Sequence, residues 1–317
     1  MLRLRIALIA SSALAICAAP AAAEAQQAVI RPDTSGYVAA NGVNYWFEIR
    51  GSGEPLLLLH GGLYTTEMFG PVLDTLAKHR RVIGIHLYGH GRTALGTRKI
   101  SPVDMGRDLG VVLEKLGVRH VDVMGHSLGG SVAFQLAVQY PTLVRRLILV
   151  STPYAQNGWF PEMLAQQAAV SGAMADALKD TPMYKSYVAV APRPQDFPRL
   201  LDAMGEFMRQ PYDWSDEAKH LAMPVMLVYG DGDMVRPEHM VSFYHLLGGG
   251  LRDAGWAREH MSKNRLAILP NLTHYEIGAA PLLATTALDF LNAKRAAAIQ
   301  NRPPRHLRYG AHGAAHQ

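Results

Sequence analysis

Residues 118–135 read Val-Arg-His-Val-Asp-Val-Met-Gly-His-Ser-Leu-Gly-Gly-Ser-Val-Ala-Phe-Gln: a short apolar, β-branched run, a glycine-flanked serine and the start of an amphipathic helix. A serine hydroxyl is a weak nucleophile on its own and needs an adjacent base and an exposed perch. In Gly125-His126-Ser127-Leu128-Gly129 the two glycines let the backbone close around Ser127 without Cβ clashes, so that Oγ projects from a strained strand-to-helix turn. A chain with 29 glycines can meet such a pentapeptide by chance. The strand before it and the helix after it are what mark Ser127 as a candidate nucleophile.

Nucleophilic catalysis by serine also requires a base, a group that orients the base, and N–H donors for the oxyanion. Gly230-Asp231-Gly232-Asp233 follows the apolar run 225–229, so both aspartates fall at the C-terminal end of a strand, where the sites of open α/β sheets collect. Asp233 is the preferred orienter and Asp231 the reserve, because an aspartate early in a reversing turn more often caps that turn. His274 follows the run 265–269 and the loop Pro270-Asn271-Leu272-Thr273. One histidine among 14 gains its weight from this position after the last strand and from the order Ser127, Asp233, His274. Ser151-Thr152-Pro153 follows the run 147–150, so that strand end has no carboxylate to offer. The run 56–59 leads into His60-Gly61-Gly62, whose free backbone N–H groups can meet a substrate oxygen. Gly62 and Leu128 are the expected donors, Leu63 is an alternative to Gly62, and His60 is expected to be structural.

The elements that must position these residues are visible in the hydropathy pattern. Residues 37–50 alternate as two strands around Asn41-Gly42, a hairpin signature. The runs 56–59, 82–87, 121–124, 147–150, 225–229 and 265–269 are short and apolar, as strands covered on both faces must be. Helical patterns alternate with them, including 105–116, closed by Gly117, and 131–140, closed by Pro141. Strand-then-helix repetition predicts a doubly wound, mostly parallel sheet in two stretches, 37–151 and 224–292. Between residues 152 and 223 the alternation stops, and 160–177, 183–190 and 197–208 read as helices of an inserted cap. The cap carries Met163, Met174, Met183, Met204 and Met208 with Trp159, Phe160, Tyr184 and Phe207. Most of these are expected to pack in a core and some to line an apolar pocket. Residues 245–263 show no clear period and read as a long loop or irregular helix.

Bulk properties narrow the class of function. At 317 residues, 49% hydrophobic and 18% charged, the chain has the makeup of an ordinary globular protein. Arg3 and Arg5, the 14-residue apolar run 6–19 and the small residues around Ala21 and Ala23 read as a cleaved signal peptide spanning residues 1–25. The run is too short for a membrane span, and Ile16 before Cys17 is too bulky for a lipidation signal. Export to the periplasm or medium is therefore expected, and since Cys17 is the only cysteine, the mature protein would have no thiol chemistry. Removing Arg3 and Arg5 takes the net charge from +5 to +3, and removing the five basic residues of the tail, 293–317, takes it to −2. The body thus offers no nucleic-acid footprint. The tail, with His306, His312 and His316, is expected to be a solvated terminus. No metal motif is present, because His86 and His90 are separated by a glycine turn, and no nucleotide fingerprint appears.

Taken together, His60-Gly61-Gly62, Gly125-His126-Ser127-Leu128-Gly129-Gly130, Gly230-Asp231-Gly232-Asp233 and Leu269-Pro270-Asn271-Leu272-Thr273-His274 resemble the α/β-hydrolase family, in that family's order, over residues 37–291. The resemblance implies a twisted, mostly parallel eight-stranded sheet with helices on both faces, a cap at 152–223, and a Ser127, Asp233, His274 triad without cofactor or metal. One departure is His86 in Ile85-His86-Leu87-Tyr88-Gly89-His90-Gly91, where many capped relatives have an aspartate. It either organises nearby loops through a different hydrogen bond or faces the pocket. Serine as nucleophile argues against haloalkane dehalogenases and epoxide hydrolases, whose intermediates are carboxylate esters. The expected function is hydrolysis of a small, largely apolar ester or lactone. The alternatives are C–C bond hydrolysis or cofactor-free perhydrolysis by the same three residues, and, more remotely, a binding protein on this scaffold.

Overall fold

The computed structural model describes residues 33–293, and the expected signal segment and basic tail lie outside the described residues. The chain opens with strands β1 (Thr34–Ala40) and β2 (Val43–Arg50), paired antiparallel from Thr34↔Ile49 to Ala40↔Val43. Their turn places Asn41 at φ 48° and Gly42 at φ 82°, the two left-handed residues that a two-residue hairpin needs to match strand twist. Next come β3 (Pro55–Leu59), α1 (Pro71–Ala77), β4 (Arg81–Ile85), α2 (Pro102–Lys115), β5 (Val121–His126), α3 (Leu128–Gln139) and β6 (Val144–Val150). The cap holds α4 (Pro161–Ala169), α5 (Pro182–Val190), α6 (Phe197–Met208) and α7 (Ser215–Lys219). The chain then returns to the sheet with β7 (Val225–Gly232), α8 (Pro237–Leu246), β8 (Arg265–Thr273) and α9 (Pro281–Asn292).

The eight strands lie in the order β1-β2-β4-β3-β5-β6-β7-β8. All neighbours from β4 to β8 are parallel, and β2, paired antiparallel to both β1 and β4, is the strand that runs against the rest of this sheet. The continuous apolar character of the central strands follows from helices on both faces. Leu57, Leu59, Ile83, Ile85 and Val123 join one cluster with residues of α2, α3 and α8, while Leu56, Leu58, Val82 and Met124 join another with α1 and α9. Each such side chain contributes about 1.5–3 kcal/mol through burial. Helix α3 is apolar around most of its circumference, and ten of its residues are buried, which anchors the turn that precedes it.

Within the cap, the helical pattern 160–177 does not run through. Helix α4 ends at Ala169, and a short 3₁₀ turn occupies Gly172–Met174. The break follows from contact with α6: the Gly172 N–H donates to Asp202 Oδ1 at 2.7 Å, and a Cβ at Gly172 would lie 2.8 Å from the Pro198 carbonyl oxygen. Residues 247–264 are irregular after α8, as the lack of period implied.

At the end of the sheet away from the loops that carry the candidate residues, Asp122 of β5 is fully buried between Arg80 and Arg145. Arg80 also donates to Asn292 of α9 at 2.6 Å, so one carboxylate ties β4, β5, β6 and α9 together. Removing it would leave the buried Arg80 guanidinium with no carboxylate, only Asn292, and Arg145 with Glu54 at the surface. Asp122→Ala is expected to cost about 3–5 kcal/mol, read as a lower denaturation midpoint in urea, whereas a change within 1 kcal/mol would contradict the role.

Candidate functional site

Strand β5 ends at His126, and Ser127 takes φ 53° and ψ −116° before α3 begins. Few residues with a side chain tolerate this conformation, and here the backbone around it is clamped. The Ser127 N–H donates to the Val150 carbonyl at 2.9 Å. A Cβ at Gly125 would lie 2.2 Å from the Gly129 carbonyl oxygen, and one at Gly130 would lie 1.8 Å from Thr152 Oγ1, so the tight turn requires glycine at both places.

The Ser127 hydroxyl donates to His274 Nε2 at 3.1 Å, and His274 Nδ1–H donates to Asp233 Oδ1 at 3.1 Å. The three residues named from the sequence therefore meet in one chain of hydrogen bonds. Strands β7 and β8 deliver two of them through a register shift: Gly230 pairs with Leu269, but Gly232 pairs with Thr273, and the extra residues carry His274 toward Ser127. Asp231, the reserve, is exposed and accepts the Leu272 N–H at 3.2 Å, so it caps this turn. Asp233 is buried. Burial raises its pKa, but the bond from His274, that residue's charge and the donors Ser151 Oγ–H and Val235 N–H outweigh it, and the carboxyl lies below its ordinary range.

Two backbone N–H groups face the same spot. Gly62 and Leu128 border the cavity beside Ser127 and donate to no other protein group among the described residues. A Cβ built on Gly62 would be 3.9 Å from that of Leu128 and 2.8 Å from Met204 Cε, so a cap methionine closes over the turn. Leu63, the alternative donor, takes a left-handed φ of 63° one residue on. The turn is held from below by the Gly61 N–H on Met68 Sδ at 3.3 Å, a contact that no spacing in the sequence announces.

His60 is buried and structural, as expected: Nδ1–H donates to the Gly61 carbonyl at 2.8 Å, and Nε2 accepts the Leu87 N–H at 3.0 Å. Of the two readings of His86, the structure supports loop organisation. Its Nδ1 accepts the Arg92 N–H at 2.9 Å, its Nε2–H reaches Thr66 Oγ1 at 3.2 Å, and it does not border the cavity. His126 is buried as well and donates Nε2–H to the His274 carbonyl at 3.0 Å, which fixes the backbone of His274. Its place in the pentapeptide gave no hint of this bond.

The cavity above Ser127 has a volume of about 280 Å³. The cap residues Met163, Met174, Met183, Met204 and Met208 all reach it, with Trp159 and Phe207, whereas Tyr184 packs edge-on against Phe197. Trp159 lies against the His274 ring at 5.7 Å and donates Nε1–H to Tyr212 Oη at 3.2 Å. None of the lining residues is Asp, Glu, Lys or Arg. Among the described residues, no group of three His, Cys, Asp or Glu is placed to hold a metal ion, and no helix is long and apolar enough to cross a membrane.

A family model described as alpha/beta hydrolase fold matches residues 54–179. An uncharacterized protein of Mycobacterium tuberculosis is 29% identical over 68% of this chain and 72% of its own length. The pimeloyl-[acyl-carrier protein] methyl ester esterase of Nitrosomonas europaea is 28% identical over 77% of this chain and 98% of its own. Among solved structures, an E-2-(acetamidomethylene)succinate hydrolase superposes with a TM-score of 0.64 at 19% identity, covering 82% of this chain and 99% of its own.

The buried histidines give the protein a defined acid sensitivity. Burial, then the charge of His274, pushes His126 down to about 3, and burial takes His90 and His239 to about 4 and His60 well below its ordinary value. The unfolded chain binds protons at ordinary histidine pKa values, near 6.5, while these folded imidazoles stay neutral. Their contribution to stability is thus complete above pH 6.5 and is lost progressively as the pH falls toward 3. Urea denaturation midpoints should fall between pH 7.5 and pH 4.5, and a flat profile across that interval would exclude the effect.

Proposed function

The chain belongs to the α/β-hydrolase fold family, and we propose that it is a serine hydrolase that cleaves a carboxylic ester or lactone of a small, largely apolar substrate through an acyl-enzyme on Ser127. The observation that carries this reading is the unbroken chain of hydrogen bonds from Ser127 through His274 to Asp233, beside the backbone N–H groups of Gly62 and Leu128, which have no acceptor among the described residues. As His274 Nε2 takes the hydroxyl proton, Ser127 Oγ attacks the carbonyl carbon, and the electron pair of the C=O bond moves to oxygen. Gly62 and Leu128 donate to that oxygen, aided by the positive N-terminal end of α3. Asp233 keeps Nδ1 protonated and stabilises the imidazolium. The imidazolium then gives its proton to the leaving alkoxide, which departs as an alcohol or, from a lactone, stays attached as a hydroxyl on the acyl chain. Water, deprotonated by His274, attacks the acyl-enzyme, and collapse of the second tetrahedral intermediate returns the proton to Ser127 and releases the acid. On the strength of the basic-then-apolar segment at its start, we place this activity outside the cytoplasm.

A fluorophosphonate probe should label the folded protein on Ser127, and Ser127→Ala should abolish both labelling and ester hydrolysis. Labelling that persists in the variant would remove the basis of the proposal. Because no lysine or arginine lines the cavity, an acyl carboxylate would be buried there with only neutral donors such as Gln156, Gln166 and Gln167 to meet its charge. The p-nitrophenyl ester of hexanoate should therefore be hydrolysed with a kcat/KM about 10²-fold or more above that of the monoester of adipate. Equal values would refute the apolar substrate class while leaving the serine mechanism intact.

A further inference from the structure

Strand β6 ends at Val150, and the next residue, Ser151, is fully buried with a φ of 51°. Left-handed backbone is disfavoured for a serine, and the flanking bonds hold it there. The Ser151 N–H donates to the Val228 carbonyl at 2.8 Å, Thr152 Oγ1–H to the Val150 carbonyl at 2.9 Å, and Tyr229 Oη–H to the Thr152 carbonyl at 3.0 Å. This backbone aims the Ser151 hydroxyl at Asp233 Oδ2, to which it donates a hydrogen bond.

The two oxygens of Asp233 are supported unequally. Oδ1 accepts from His274 Nδ1–H and from the Val235 N–H at 3.2 Å. Oδ2 has Ser151 and, otherwise, only the Gly230 N–H at 3.3 Å. Without Ser151 the carboxylate would keep one long bond on that side and be free to rotate about its Cβ–Cγ bond, taking Oδ1 out of line with the imidazole. We propose that Ser151 is a positioning residue for Asp233, its buried hydroxyl fixing the orientation in which the carboxylate meets His274. The inference rests on the serine-hydrolase reading.

Two substitutions separate this role from a structural one. Ser151→Gly removes the hydroxyl but relieves the left-handed backbone, whereas Ser151→Thr keeps the hydroxyl but puts a β-branched residue at positive φ. The groups that titrate around Asp233 are His274, His126 and Tyr229, and only His274 exchanges protons with substrate. Losing the Ser151 donor lets Oδ1 swing out of line with Nδ1, which weakens the hold of Asp233 on the His274 imidazolium and moves the acid limb of kcat/KM to lower pH.

Measured on p-nitrophenyl butyrate, Ser151→Gly should lower kcat about tenfold with KM nearly unchanged. It should also lower the acid limb by about half a unit, with no loss of thermal stability. Ser151→Thr should melt at lower temperature yet keep the wild-type limb and a kcat within about threefold of wild type. If activity instead follows melting temperature, or if Ser151→Gly retains wild-type kcat and limb, the positioning role is overturned. Full activity in Ser127→Ala would mark failure of the serine-hydrolase reading itself, which the Ser151 variants do not test.

Discussion

The backbone of Ser127, left-handed and clamped between a strand and a helix, is the constraint from which the rest of the site follows. A chain does not adopt φ 53° with a side chain present unless its surroundings give it no cheaper choice. Those surroundings are the glycines of the elbow, packed against backbone and against Thr152 without room for a methyl group, and a helix buried around most of its surface. The stability of the parallel sheet thereby sets the direction of one hydroxyl. It also dictates where partners must come from, since β3 to β8 are parallel and the loops that follow them open at the same end as the elbow.

How much of this could be read from sequence varied with the physical range of each interaction. The hairpin at Asn41-Gly42, the apolar strands and the elbow were legible because each is set by local conformational preference or by burial period. Asp233 and His274 were legible because the order of strand ends restricts which loops can meet. The division of labour between Asp231 and Asp233 also followed from turn chemistry, and the structure agrees: one caps the β7–β8 turn, the other meets the imidazole. Helical spacing assigns most of the cap methionines and aromatics to a core, whereas all five methionines border the cavity, because side chains spaced along a helix do not reveal what covers them.

What stayed hidden were contacts between distant segments that use unremarkable residues. Ser151 looked like the absence of a carboxylate, and its left-handed φ has no sequence signal when the residue is not glycine. His126 seemed a filler position in a glycine motif, yet it bonds the backbone of a residue 148 positions away. The Met68 sulfur beneath Gly61 belongs to the same class. The break between α4 and the 3₁₀ turn at Gly172–Met174 is tertiary too, imposed by the approach of α6 rather than by any helix breaker as strong as proline. His86 shows the converse: the position lacks the aspartate of many similar chains, but two ring nitrogens supply one acceptor and one donor and stitch the Arg92 and Thr66 loops together.

The uncharged lining of the cavity also bears on the last stage of turnover. Ester hydrolysis starts from a neutral molecule and ends, at neutral pH, with a carboxylate. A wall made mostly of thioethers and aromatic rings, with a few neutral amides, accommodates the neutral acyl chain better than the anion, and no lysine or arginine lines it to retain the charge. The chemistry thus changes its own product from a good guest into a bad one. Under the ester or lactone hydrolysis proposed above, departure into water becomes downhill once the charge is made, so a pocket selective for apolar acyl groups need not be clogged by the acids it would release.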